Sequence, residues 1–213
     1  MRYRLCIFDL DGTLIDSRHA IGAALQETAR ELKLDEVEVS QFALYIGLPL
    51  DSILQKLGFR DIEQARAVYR KHYYRFIHTE KPFPGIPELL TRLHGKVSLA
   101  IATNKSLKGT ERTLRHTGLF PFFDVLETID QGIPKPHRYT FDRICEFYRQ
   151  RGSIFLPHHC LMVGDSPIDM AFADNAGIHA AFVRWGFHTE ACLPIKPLYA
   201  VSTPDELYSI LCE

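Results

Sequence analysis

YRLCIFDLDGTLIDS, residues 3–17, is the stretch that decides the fold of this chain. Its apolar run, Leu5–Phe8, predicts a buried strand, and Asp9 and Asp11 follow directly before Gly12. Open α/β sheets bind ligands at the carboxyl ends of their strands, which is where these aspartates fall. Carboxylates one residue apart repel each other, so the pair favours a bound divalent cation. A strand followed by a plain Asp-Gly turn fits the same residues, and the rest of the chain has to decide.

The size and charge of the chain narrow the possible functions. Its 213 residues, 46% of them apolar, can form one good core with room for a smaller second unit. Twenty-five basic residues against 26 acidic residues give a net charge of -1, and no long run of one sign stands out. We therefore expect no nucleic-acid partner.

Cysteine content and hydropathy predict where the protein works. The five cysteines are odd in number and contain no CxxC pair, which disfavours both a disulfide framework and a cysteine zinc site. The N-terminus enters the first strand at once and lacks the apolar core of a signal peptide. Nowhere do about 18 consecutive apolar residues occur. We expect a soluble, cytoplasmic protein with no membrane partner.

After Ser17 the spacing of apolar residues changes from strand to helix. Helices are predicted at 20–32, 39–45, 50–57 and 62–77, with no convincing strand among them. The block ends at 81–85, KPFPG, a cluster of helix-breaking residues that suits a hinge. We call residues 17–80 the helical insert, and expect it to form a small domain of its own.

Helices and strands alternate from residue 86 onward. Strands are predicted at 97–102, 124–129, 160–163 and 179–183, and helices at 86–94, 107–117, 139–149, 168–176 and 205–211. Alternation of this kind predicts a parallel sheet with helices on both faces. The expected fold class is α/β: a Rossmann-like three-layer core, residues 1–16 and 81–213, interrupted by the helical insert at 17–80.

Two of the later segments carry residues that suit phosphate. Thr103 and Asn104 follow a predicted strand and precede a helix, where backbone donors and a hydroxyl can bind phosphate oxygens. Taken alone, the pair is more often an ordinary helix cap. Lys135 stands between Pro134 and Pro136, which restrict the backbone and indicate a positioned ammonium rather than a flexible surface lysine.

A third segment repeats the pattern of the first. A predicted strand leads into Gly164 and Asp165, and Asp169 follows four residues later. An aspartate N-cap is the structural alternative for Asp165, and it is compatible with metal binding. Four strand ends thus carry DxDGT, TN, K and GDxxxD in this order.

That order resembles the haloacid dehalogenase-like superfamily of aspartyl phosphotransferases, and within it the phosphoglycolate phosphatases and their near relatives. The resemblance spans nearly the whole chain and includes 83–86, FPGI, and 169–177, DMAFADNAG. It implies that the protein is a phosphatase and that the helical insert is a mobile cap. The chain departs from near relatives after Lys135, where residues 135–138 read KPHR instead of the usual KPxP.

The resemblance also implies roles for the acidic residues. Asp9 would be the nucleophile that takes the phosphoryl group, and Asp11 the general acid and then base. Mg²⁺ would be held by Asp9, by Asp165 and by the backbone carbonyl of Asp11. Asp169 would support that shell through water or through Lys135.

The phosphate-binding residues follow from the same resemblance. Thr103, Asn104 and the catalytic Lys135 would neutralise and orient the phosphoryl oxygens, and Gly12 would let the backbone approach them. Lys105 is a second candidate for facing the phosphate. The loop 45–50 and the aromatic loop 184–187 correspond to segments that border the site in relatives.

We expect a Mg²⁺-dependent phosphatase for a small phosphorylated metabolite, acting through an aspartyl-phosphate as a monomer or homodimer. The first candidate substrate is 2-phosphoglycolate. A pyrophosphatase and a β-phosphoglucomutase-like mutase are alternatives, although the mutase histidine expected twelve positions after Asp9 is replaced by Ile21. A phosphonate hydrolase would need a cap lysine that cannot be placed, and a catalytically silent binding module would be expected to have lost an acid.

Overall fold

A six-stranded parallel sheet forms the centre of the computed structural model, which describes residues 2–34 and 39–212. Its strands are β1 (Leu5–Phe8), β4 (Ser98–Ala102), β5 (Val125–Glu127), β6 (Cys160–Gly164), β7 (His179–Val183) and β8 (Tyr199–Val201). They lie in the order β5-β4-β1-β6-β7-β8. In the middle, β1 pairs with β4 on one side and β6 on the other. The residues that follow these three strands therefore meet at one edge.

Helices cover both faces of the sheet. They are α4 (Ile86–Leu93), α5 (Leu107–His116), α6 (Tyr139–Arg149), α7 (Pro167–Ala176) and α8 (Pro204–Cys212). Side chains of a strand point alternately to the two faces, so Cys6 and Phe8 join one apolar cluster with α4, α5 and α8. Leu5 and Ile7 join the other, with α6 and α7. Among the described residues, every helix is too short or too polar to cross a bilayer.

The helical insert has its own apolar cluster. Its helices are α1 (Arg18–Glu31), α2 (Leu50–Lys56) and α3 (Ile62–Phe76), with 3-10 turns at Phe42–Tyr45 and Ile77–Thr79. Leu25, Leu54 and Tyr73 are among the side chains buried there. The two connections to the core pair with each other as short antiparallel strands, β2 (Ile15–Asp16) and β3 (Lys81–Pro82).

The predicted fold class, a parallel α/β core, is confirmed. Of the expected helix at 39–45 only the 3-10 turn Phe42–Tyr45 is present, and the expected strand at 124–129 ends at Glu127 because a capped 3-10 turn follows at Ile129–Gln131. The strands β2, β3 and β8 were not predicted. They are two or three residues long, too short to display a period.

Candidate active site

Asp9 lies at the centre of a buried polar cluster. It follows β1, is 3% exposed, and its backbone N–H donates to the carbonyl of Val163 on β6 over 2.9 Å. The Lys135 ammonium donates to Asp9 Oδ1 over 2.8 Å and to Asp169 Oδ1 over 2.6 Å. One lysine therefore joins two carboxylates from different strand ends.

Asp165 and Asp169 complete the cluster. Carboxylate oxygens of Asp9, Asp165 and Asp169 all lie within 4.8 Å of one another, and all three residues are buried. The hydroxyl and backbone N–H of Ser166 donate to Asp169 Oδ2, at 2.6 and 3.1 Å. Ser166 is the N-cap of α7, so the cap that sequence offered to Asp165 belongs to its neighbour.

The charges of this cluster fit a divalent cation. Three carboxylates face the single ammonium of Lys135, so these four groups together carry two net negative charges when all are ionised. His188 Nδ1 lies 3.6 Å from Asp165 Oδ2 and adds a positive charge only when the ring is protonated. Burial raises the pKa of Asp9 to about 8; the attraction of Lys135 opposes that rise, and the carboxylates of Asp169 and Asp165 add to it. A metal ion bound here would favour the ionised form. An all-oxygen donor set is the type that Mg²⁺ prefers.

Two glycines let the backbone close around Asp165. At Gly12 φ is +92°, and a Cβ there would lie 2.4 Å from Asp165 Oδ2. The N–H of Gly12 donates to the Ile15 carbonyl over 2.9 Å, so this donor is used within the turn. At Gly186 a Cβ would lie 2.2 Å from Asp165 Cβ. The next backbone N–H, of Phe187, donates to Asp165 Oδ2 over 2.7 Å, so the aromatic loop holds this carboxylate directly.

Thr103 and Asn104 lie beside the cluster with different contacts. Thr103 Oγ1 accepts the backbone N–H of Lys105 over 3.2 Å. The Asn104 amide donates to the carbonyls of Gly47 and Lys135, at 2.9 and 3.0 Å, and accepts the Lys135 N–H over 2.9 Å. Both amide hydrogens of Asn104 are thus used, so its side chain fixes Lys135 and the loop of the helical insert.

Asp11 faces a second lysine. Lys105 Nζ donates to Asp11 Oδ1 over 2.9 Å and to Glu80 Oε1 over 3.3 Å. Glu80 is 2% exposed and also accepts hydroxyl hydrogen bonds from Tyr73 and Thr113. No motif pointed to Glu80, because Lys105 and Thr113, which donate to it, lie 25 and 33 residues away in the sequence.

A cavity of about 280 Å³ opens above Asp9 and Asp11. Its opposite wall comes from the helical insert and is mostly apolar and aromatic. The cations of that wall are Arg66, which forms a two-point ion pair with Asp51, and Arg70. Arg70 is exposed and makes no ion pair with the residues that the structure describes. The wall includes Ile46, Gly47, Leu48, Pro49, Leu50, Tyr69 and Tyr73.

The structure therefore brings the residues singled out in the sequence to one place. Asp9, Lys135, Asp165 and Asp169 form the cluster, and Asp11 lies beside it on the cavity floor. Thr103 and Asn104 also line the floor. Part of the loop predicted to border the site, from Ile46 to Leu50, lies in the opposite wall.

Comparisons with known proteins match this arrangement. Residues 6–183 fit the family model described as haloacid dehalogenase-like hydrolase. A phosphoglycolate phosphatase of Aquifex aeolicus is 34% identical over 98% of this chain and 96% of its own length. Pyrophosphatase PpaX of Bacillus cereus is 29% identical over 99% and 97%. The solved haloacid dehalogenase-like hydrolase SP0104 of Streptococcus pneumoniae superposes with a TM-score of 0.85 and 27% identity, covering 98% of both chains.

Proposed function

The chain belongs to the haloacid dehalogenase-like hydrolases and is a phosphatase, and from that premise we propose a Mg²⁺-dependent phosphomonoesterase with an aspartyl-phosphate intermediate at Asp9. The observation that carries the proposal is the position of Asp9 on the cavity floor. There it contacts Lys135 at 2.8 Å and lies within reach of two further buried carboxylates.

The reaction consists of two displacements. An oxygen of the Asp9 carboxylate forms a bond to phosphorus while the ester P–O bond breaks, and Asp11 gives its proton to the departing oxygen. Water then attacks the same phosphorus and passes a proton back to Asp11. The bond between Asp9 and phosphorus breaks, inorganic phosphate leaves, and both side chains return to their starting states.

The surrounding residues stabilise the charge that gathers on the phosphoryl oxygens. The Lys135 ammonium lies beside the nucleophile, and we assign the Thr103 hydroxyl and the backbone N–H of Asn104 to the same oxygens. Asp9, Asp165 and the Asp11 carbonyl would hold Mg²⁺, and Asp169 would support them through Lys135. The ion, when bound, would neutralise charge on the transferred group.

The helical insert is assigned the role of a mobile cap over residues 17–80. Its two connections form a narrow hinge of two paired strands, and its loop touches the core through the Gly47 carbonyl. Closure would exclude water while the phosphoryl group is transferred, and opening would release the product.

A small phosphorylated metabolite is the proposed substrate, with 2-phosphoglycolate first because the Aquifex aeolicus relative bears that name. Arg70 is the cation best placed to meet a carboxylate on the leaving group, since Arg66 and Lys105 already face carboxylates. Pyrophosphate is the second candidate, because a PpaX relative matches nearly the full chain. We further propose a cytoplasmic protein that works as a monomer or homodimer.

Release of inorganic phosphate tests this function. The purified chain with Mg²⁺ should hydrolyse at least one member of a panel that includes 2-phosphoglycolate, pyrophosphate and aryl phosphates. Asp9→Asn should remove all turnover, because an amide cannot act as the nucleophile. Wild-type rates in the D9N variant would contradict the mechanism, and no hydrolysis across the panel would favour the silent binding module.

A further inference from the structure

Lys105 lies in the cavity floor, where the two displacements give it no task. It follows Thr103 and Asn104 and directly precedes Ser106, the N-cap of α5, and its side chain is 11% exposed. Gly109, one turn later, leaves room for its alkyl chain: a Cβ at Gly109 would lie 3.3 Å from Lys105 Cγ. The fold thus directs this lysine inward rather than to solvent.

Two carboxylates and an aromatic ring surround its ammonium. Lys105 Nζ lies 2.9 Å from Asp11 Oδ1, 3.3 Å from Glu80 Oε1 and 4.9 Å from the centre of the Tyr73 ring. Burial acts to lower the pKa of Lys105, but Asp11, Tyr73 and Glu80 outweigh it and hold the pKa well above its usual value. The side chain therefore contacts Asp11 as a cation.

Glu80 fixes the far side of this ammonium. Its carboxylate is buried and accepts hydrogen bonds from the hydroxyls of Tyr73 on α3 and Thr113 on α5, the latter over 2.7 Å. Glu80 itself directly precedes β3, in the second connection of the helical insert. Lys105 is thus held by groups from the insert, the hinge and the core.

Asp11 has few other restraints. Its side chain is 14% exposed, and among the described residues Lys105 is the one whose side chain forms a hydrogen bond with it. A general acid has to lie within hydrogen-bonding reach of the oxygen that it protonates. Without Lys105, the Asp11 carboxyl could rotate among several orientations.

We propose that Lys105, anchored by Glu80, is a positioning residue that aims the Asp11 carboxyl at the leaving-group oxygen. This inference rests on the proposed function, because it assumes that Asp11 is the general acid. It differs from the sequence-based alternative in which Lys105 binds the phosphate itself. The two roles predict different losses: removal of Lys105 slows hydrolysis of all substrates if Lys105 binds the phosphate, but mainly of those with poor leaving groups if it positions Asp11.

A matched pair of substrates separates these roles. Phenyl phosphate and 4-nitrophenyl phosphate carry the same phosphate and similar rings, but 4-nitrophenolate departs readily without a proton and phenolate does not. The constant to measure is kcat/KM, because it covers the steps up to departure of the leaving group. Variants are Lys105→Met and Glu80→Gln, with Lys108→Met as the control, since Lys108 is a nearby exposed lysine in α5.

If Asp11 loses its orientation, kcat/KM should fall more for phenyl phosphate than for 4-nitrophenyl phosphate. General acid catalysis contributes about 10²–10⁴-fold, so we expect K105M to lower kcat/KM for phenyl phosphate about tenfold more than for 4-nitrophenyl phosphate. E80Q should also lower kcat/KM more for phenyl phosphate than for 4-nitrophenyl phosphate, but by a smaller factor. K108M should leave kcat/KM unchanged for both substrates. Equal losses on both substrates, or no loss, would overturn the proposal.

Two further measurements separate a loss of positioning from a loss of folding and from a failure of the proposed function. Circular dichroism and thermal unfolding show whether K105M is folded; if it is not, the selectivity of E80Q decides by the same criterion. The proposed function is judged separately, from hydrolysis by the wild-type chain and its absence in D9N. Wild-type turnover with an unselective K105M therefore rejects the positioning role alone.

Discussion

The floor and the opposite wall of the cavity differ in the side chains that form them and in the elements that carry those side chains. At the floor, Asp9 belongs to a buried cluster with Asp165 and Asp169, and each of these carboxylates accepts hydrogen bonds from specific partners. On the wall, apolar and aromatic side chains dominate, and Arg70 has no ion-pair partner among the described residues. The floor comes from the ends of neighbouring strands, whereas the wall comes from a separate cluster of helices.

That difference teaches where chemistry and selectivity reside. A buried network in which each carboxylate is held by specific partners tolerates little change, because a lost partner leaves an unpaired polar group. An apolar wall whose Arg70 makes no ion pair with any described residue can accept different leaving groups by small changes in side chains. We therefore expect changes to the floor to abolish turnover and changes to the wall to alter substrate preference.

The largest effect should follow removal of a carboxylate that we propose as a Mg²⁺ ligand. Asp165→Asn should abolish turnover, as should excess EDTA with the wild-type chain, with activity restored by Mg²⁺ only in the wild type. Because an ion that binds only the folded state stabilises that state, Mg²⁺ should raise the midpoint of thermal unfolding of the wild type and not of D165N. Asp174→Asn, an exposed position of α7, is the control. An equal Mg²⁺ shift in D165N would show that the cation binds elsewhere.

Loss of the central ammonium should come next. Lys135→Met removes the ammonium that contacts both Asp9 and Asp169, and should reduce kcat by about 10²–10³-fold, the usual effect of losing one group that stabilises the transition state. Steady-state kinetics gives the value. Lys196→Met, at an exposed lysine, should leave kcat unchanged. A K135M variant with near wild-type kcat would remove Lys135 from the mechanism.

The smallest effect should come from the wall. If Arg70 meets an anionic leaving group, Arg70→Met should raise KM for 2-phosphoglycolate about tenfold, corresponding to roughly 1.4 kcal/mol, while KM for phenyl phosphate stays unchanged. Arg75→Met, at an exposed position of the same helix, serves as the control. Equal changes for both substrates would show that Arg70 does not recognise the anion.

The sequence predicted most of the floor because its signals are local. An apolar run such as Leu5–Phe8 shows where a buried strand ends and which residues follow it. A parallel sheet then brings the residues after each strand to one edge. Asp9, Lys135 and Asp165 could be found in this way although they are far apart in the chain.

The remainder depends on contacts between distant residues that carry no local signal. Asn104 looked like a phosphate ligand, but its amide is used by the Gly47 and Lys135 carbonyls. Glu80 belongs to no motif in the sequence, yet it is buried and accepts hydrogen bonds from Lys105 and Thr113. Such partners become visible only when the helical insert is placed on the core.

Covalent labelling of Asp9 tests the central claim most directly. The wild-type chain is mixed with a substrate it hydrolyses, quenched in acid and reduced with borohydride, which converts an aspartyl-phosphate to homoserine. Peptide mass spectrometry should then find homoserine at position 9 alone, and D9N should show neither the label nor turnover. A phosphoryl label at another residue, or rapid turnover by D9N, would contradict the account.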